Sequence, residues 1–164
     1  MKLKWFIAAA MSAVTLWNIG AAEYPVYKIT RAPEIDGKLD DYVWKRLPEG
    51  RGFMRMDSAN SYVTERPTRF QMGYKDDVLY LAIRCTEPNP KSIKAVETYR
   101  DGWTFDDAIE MFFLPKDSSS YMQLLTNANG ARWSKRQNAE RETEPPTDWK
   151  VASGRTPDGW ILEM

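Results

Sequence analysis

The stretch TRFQMGYKDDVLYLAIRC, residues 68–85, decides the fold class. Its first half alternates: Phe70, Met72 and Tyr74 take one parity, Arg69, Gln71 and Gly73 the other. Successive side chains of a strand point to opposite faces, so a period of two reads as a half-buried β-strand. Asp76-Asp77 supplies a polar turn. Residues 78–85 then return as a more uniformly apolar strand, and the two runs make a hairpin. Glu87-Pro88-Asn89-Pro90 ends it, because proline removes a ladder donor.

Working outward, the same pattern of short strands and turn residues repeats. Residues 26–29, 92–97, 108–114, 121–126, 131–135, 149–153 and 160–164 read as strands. Pro33-Glu34-Ile35-Asp36-Gly37 is extended and ends in an Asp-Gly turn; Asp40 and Asp41 then precede Tyr42, Val43 and Trp44, which suits a capped helical turn. Turns fall at Asn127-Ala128-Asn129-Gly130 and Thr156-Pro157-Asp158-Gly159, and residues 140–147, with Pro145-Pro146, read as a loop. No sustained helical period and no internal repeat is present. The expected fold is all-β, an antiparallel sandwich of jelly-roll or immunoglobulin-like type. Trp44 and Trp149 are expected in the core and Trp160 in sheet packing. The last residues, WILEM, stop in mid-strand, so the chain is expected to be a fragment of a longer protein.

The N-terminus has the features of a secretory signal: Lys2 and Lys4, an apolar run from Trp5 to Trp17 too short for an ordinary membrane span, and small residues before Glu23. Residues 1–22 are therefore expected to be removed, leaving a domain over 23–164 in the periplasm or outside the cell, without membrane insertion. The 164-residue chain carries 23 basic and 23 acidic residues, and losing Lys2 and Lys4 tips the balance slightly acidic. That balance gives no electrostatic reason to expect nucleic acid as partner. The single cysteine, Cys85, excludes an internal disulfide and reads as a buried, inert thiol. The absence of histidine excludes a Ser-His-Asp triad and histidine-bound zinc or haem iron. No cofactor is expected to be required; carboxylates leave a structural calcium open.

The segment DGWTFDDAIEMFF, residues 101–113, carries the chemistry. Trp103 sits in a polar, glycine-containing loop, where an exposed indole could stack on the apolar face of a sugar, or a buried one could cap the core. Asp106, Ala108, Glu110 and Phe112 share one parity of the following strand; Asp107, Ile109 and Met111 share the other. Glu110 can accept hydrogen bonds from hydroxyls at a groove or be bonded within the sheet. A glycosidase needs only two carboxylates at a set separation, but nothing in the spacing fixes that separation. Trp133, just past the Asn-Gly turn, is a further candidate for a binding surface.

In order along the chain, IDG-x-LD-x3-W (from Ile35), D-x-LY (from Asp77), DD-x-x-E (Asp106 to Glu110) and DGW-x-x-E (Asp158 to Glu163) form a set. No one of them is specific; the ordered set resembles the family 9 carbohydrate-binding modules and the wider group of secreted sandwich domains similar to them, from Ile35 to the end. The resemblance implies a domain that binds sugar without cutting it and often accompanies glycoside hydrolases. It assigns sugar stacking to Trp103 and hydroxyl recognition to Glu110 and Asn127. There are departures. A basic sugar-binding position falls on Leu125, Trp103 lies one residue further from the acidic strand, and the second tryptophan of the sugar clamp belongs to a C-terminal segment outside this chain. The expected function is non-catalytic recognition of an oligosaccharide or polysaccharide through Trp103, Glu110, Asn127 and Trp133, supporting polysaccharide breakdown. Its alternatives are an accessory module of a hydrolase encoded beyond this chain and a structural or protein-interaction sandwich that has lost the sugar site.

Overall fold

A computed structural model describes residues 23–53, 65–96, 106–138 and 148–164. Two sheets form a sandwich. The first has five strands in the order β1 (Tyr27–Lys28), β2 (Thr68–Lys75), β3 (Val78–Thr86), β8 (Gly159–Glu163) and β7 (Ala152–Thr156). The second has three, β4 (Ala108–Phe113), β5 (Tyr121–Asn127) and β6 (Arg132–Gln137). Every pairing is antiparallel except that of β1 with β2. No helix among the described residues is long and apolar enough to cross a membrane.

The expected hairpin is β2–β3, in register from Thr68 opposite Cys85 to Lys75 opposite Val78. Its burial differs from that of a half-buried strand: Gln71 and Gly73, on the polar parity, are buried. The reason is that the five-stranded sheet is covered on both faces. Ile29, Leu39, Trp44 and Leu47 from the N-terminal segment pack over Ala82 and Ile161 on one face. On the other, Ile83, Cys85, Trp160 and Leu162 meet Phe70 and, from the second sheet, Ile109. A strand buried on both faces carries a near-continuous apolar run, which accounts for β3. Gln71 is tolerated because its amide is satisfied: Nε2 donates to the carbonyls of Trp44 (2.5 Å) and Leu47 (2.7 Å), and Oε1 accepts from Arg84 Nη1 (2.8 Å).

One buried carboxylate explains two of the sequence motifs. Glu163, with 0% exposure, accepts Trp44 Nε1–H on Oε1 (2.8 Å) and the backbone N–H groups of Asp36 (3.0 Å) and Gly37 (2.8 Å) on Oε2. The glutamate of DGW-x-x-E thus pins the Asp-Gly turn and the tryptophan of IDG-x-LD-x3-W to the sheet. Gly37 is required there: its φ is +81°, and a Cβ would lie 2.6 Å from the Ser153 carbonyl oxygen.

Three expectations are revised. The turn Tyr42–Lys45 is a short 3₁₀ helix, but Asp41 makes no capping bond to it; its carboxylate accepts from the Glu34 N–H (2.9 Å) instead. Residues 92–96 are not a strand. A 3₁₀ turn, Pro90–Ser92, leads into a segment whose backbone is held partly by side chains. Trp149 is half-buried rather than core, and β7 begins at Ala152; the Arg132 guanidinium lies 5.6 Å from the centre of the Trp149 ring. The proposed signal segment and the loop 140–147 lie outside the described residues.

Cys85 is 8% exposed, and burial pushes its thiol up to about 12, with a hydrogen bond to Thr68 acting in the opposite direction. The thiolate is the reactive species, so the native protein is inert. With excess iodoacetamide at pH 8, mass spectrometry is expected to show an unmodified chain in buffer and one added carbamidomethyl group in concentrated urea. Rapid labelling of the folded protein would contradict this burial.

Candidate functional site

The second sheet presents different faces to the core and to solvent. Ile109 packs on the core of the first sheet. Met111, Phe113, Met122 and Leu124 share a cavity of about 680 Å³ with Leu79 and Leu81 of β3. The opposite parity forms the sheet's other face, on which Glu110, Phe112 and Lys135 are exposed while Gln123 and Leu125 of the central strand are buried. Glu110 pairs with Leu125, and Leu125 with Trp133; Phe112 pairs with Gln123, and Gln123 with Lys135. Directly opposed residues share a face, so these six side chains form a two-row grid on the outside of the sandwich.

Glu110 is exposed, and Gln123 Nε2 donates to its Oε1 at 2.5 Å. Gln123, 3% exposed, accepts in turn from Gln137 Nε2 at 2.5 Å. A chain of amides thus runs across all three strands and ends on the carboxylate. An amide donor fixes one oxygen of Glu110 and leaves further acceptor positions on the group for hydroxyls arriving from solvent. Trp133 is half-buried at the far end of the same row, beyond Leu125, which is 5% exposed.

Asn127 ends β5. It is fully buried, Nδ2 donates to Val96 O and Asp106 Oδ2 (both 2.9 Å), and Oδ1 accepts from the N–H groups of Asn129 (3.0 Å) and Ala131 (3.1 Å). All four positions of its amide are occupied. It closes the β5–β6 turn and holds the segment before β4. Asp106 and Asp107 do related work: their carboxylates accept the N–H groups of Val96 and Lys94, both at 2.8 Å. Of the three acids in DD-x-x-E, the two aspartates are committed to backbone donors and Glu110 faces solvent. The amide chain through Gln123 and Gln137 was not singled out from sequence; its signal is their position on the same face as Glu110, one strand and two strands away.

Trp103 lies outside the described residues; of the other expected site residues, Glu110 and Trp133 share a face with Leu125 between them, and Asn127, opposite Ala108, is buried at the end of that face. Among the described residues, no group of three or more carboxylate or cysteine side chains comes together to hold a metal ion.

No protein-family model and no curated protein matches the chain. Solved structures do. A family 9 carbohydrate-binding module from Caldicellulosiruptor kristjanssonii, solved with cellotriose, superposes with a TM-score of 0.56 at 16% identity, over 84% of this chain and 64% of that one. The complex of such a module with glucose gives 0.53 at 16% identity, over 84% and 65%. A protein from Bacteroides uniformis, named as a candidate carbohydrate-binding protein, gives 0.59 at 14% identity, over 84% and 68%. This chain thus spans about two thirds of the length of each. The two-sheet sandwich described above has the fold of the family 9 carbohydrate-binding modules.

Proposed function

We propose that this protein is a secreted, non-catalytic carbohydrate-binding domain that recognises a glycan on the outward face of its three-stranded sheet. The observation that carries the reading is Glu110: an exposed carboxylate, held by the buried amide of Gln123, on a fold shared with proteins solved in complex with sugars. A sugar ring has apolar C–H faces and a rim of hydroxyls, and it needs a flat apolar surface beside hydrogen-bond acceptors. In this reading Glu110 receives hydroxyl donors, Trp103 stacks on the ring, and Trp133 borders the site. Asn127 acts through its neighbours, by fixing the approach to β4. Binding of this kind serves the capture of polysaccharide for breakdown.

A second reading, a protein-interaction sandwich, draws on Leu125 and on the fully occupied amide of Asn127, neither of which can donate to a sugar. Tryptophan fluorescence separates the two. Titration of the mature protein with a panel of oligosaccharides and polysaccharides is expected to give a saturable shift that Trp103→Ala abolishes. A folded protein whose emission no glycan alters would leave the second reading.

A further inference from the structure

The apolar edge of the outward face is not used by the reading above. β4 is an edge strand of its sheet. Phe112, on the same face as Glu110, is 57% exposed. Tyr121 of β5 stands beside it with ring centroids 5.9 Å apart and planes tilted by 55°. Leu114, just past the end of β4, is 64% exposed. Large apolar side chains exposed along an edge strand promote unwanted pairing between chains and call for an explanation.

Position gives that explanation. Phe112 follows Glu110 by two residues, so their Cα atoms are about 7 Å apart along the strand. That step is on the scale of one sugar ring. Gln123, opposite Phe112, is the amide that holds Glu110, and Lys135 lies beyond it. The exposed polar groups of this face are therefore charged ones, Glu110 and Lys135, which can meet the hydroxylated rim of a sugar where the buried Gln123 cannot.

We propose that Phe112 and Tyr121 form a second subsite, continuous with the one at Glu110, which takes the next sugar ring of the same glycan along β4. This rests on the sugar-binding reading of Glu110. The ligand class is then an oligosaccharide or a stretch of polysaccharide of at least two rings, and the protein discriminates by chain length.

The test is calorimetric titration of the wild-type protein and Phe112→Ala with glucose, cellobiose and cellotriose, and with the mono-, di- and trisaccharides of xylan and mannan. In the series that binds, the wild-type protein is expected to hold the disaccharide about tenfold more tightly than the monosaccharide. Phe112→Ala is expected to remove that preference and leave monosaccharide affinity within about twofold. Because Phe112 is exposed, thermal unfolding serves as the check that the variant keeps its fold. Equal affinity for all chain lengths, unchanged by the substitution, would overturn the second subsite and leave the Glu110 site standing. A concentration-dependent dimer that Phe112→Ala dissolves would overturn it in favour of self-association. No binding of any sugar in all three series would remove the underlying reading along with it.

Discussion

Glu163→Gln is expected to lower the unfolding free energy of the sandwich by about 2–4 kcal/mol, the cost of weakening charge-assisted bonds and stranding a buried donor. The carboxylate offers acceptors on both sides: Oε1 to the Trp44 indole, Oε2 to two backbone N–H groups. A glutamine keeps one oxygen. Its NH₂ must then face either the indole N–H or the Asp36 and Gly37 N–H groups, donor against donor. At 0% exposure no solvent relieves the clash. Trp44→Phe removes a single bond and keeps most of the ring, so its effect is expected to be smaller, about 1–2 kcal/mol. Urea unfolding gives the comparison: the midpoint should fall in that order at an unchanged m-value. A Glu163→Gln midpoint equal to that of the wild-type protein would mean the network does not hold the N-terminal layer.

The other large effect concerns Glu110. Glu110→Ala is expected to weaken glycan binding by about 10- to 100-fold, as loss of a hydrogen bond to a charged acceptor does. Glu110→Gln is expected to fall between. Its oxygen would accept from Gln123 and its NH₂ would face the ligand, where a sugar hydroxyl can accept but without the charge. Alanine also leaves the buried Gln123 Nε2 without the acceptor it has at 2.5 Å, so Glu110→Ala carries a stability cost of about 1 kcal/mol as well. Calorimetry well below the unfolding temperature separates the two effects. Wild-type affinity in Glu110→Ala would move the binding surface off this face.

The hairpin and the second sheet were legible because period-two alternation and turn residues are local signals. Gln71 and Gly73 were less so. Their burial is set by Ile29, Trp44 and Leu47 of the N-terminal segment, which folds back over the sheet, and no window around β2 contains that information. The composition of the segment after Ser92 suits a strand. In the structure Asp106, Asp107, Asn127 and Asn129 supply bonds that a neighbouring strand would otherwise make. Parity places Glu110 on a face with Ala108 and Phe112 and leaves it either at a groove or bonded within the sheet; the resemblance makes it a site candidate. The resemblance assigns Asn127 to the ligand; its amide is filled by Val96 and Asp106, residues that no window around β5 contains.

The Glu163 network also has a kinetic meaning. The bonds from Trp44 and Gly37 to this residue span 119 and 126 positions of sequence. Contacts of such separation form late, because the loop-closure entropy is lost before they reward it. During synthesis the N-terminal layer is made first and must wait, unlatched, for β8 to leave the ribosome. The N-terminal layer therefore cannot lock in its final form until the last strand is made.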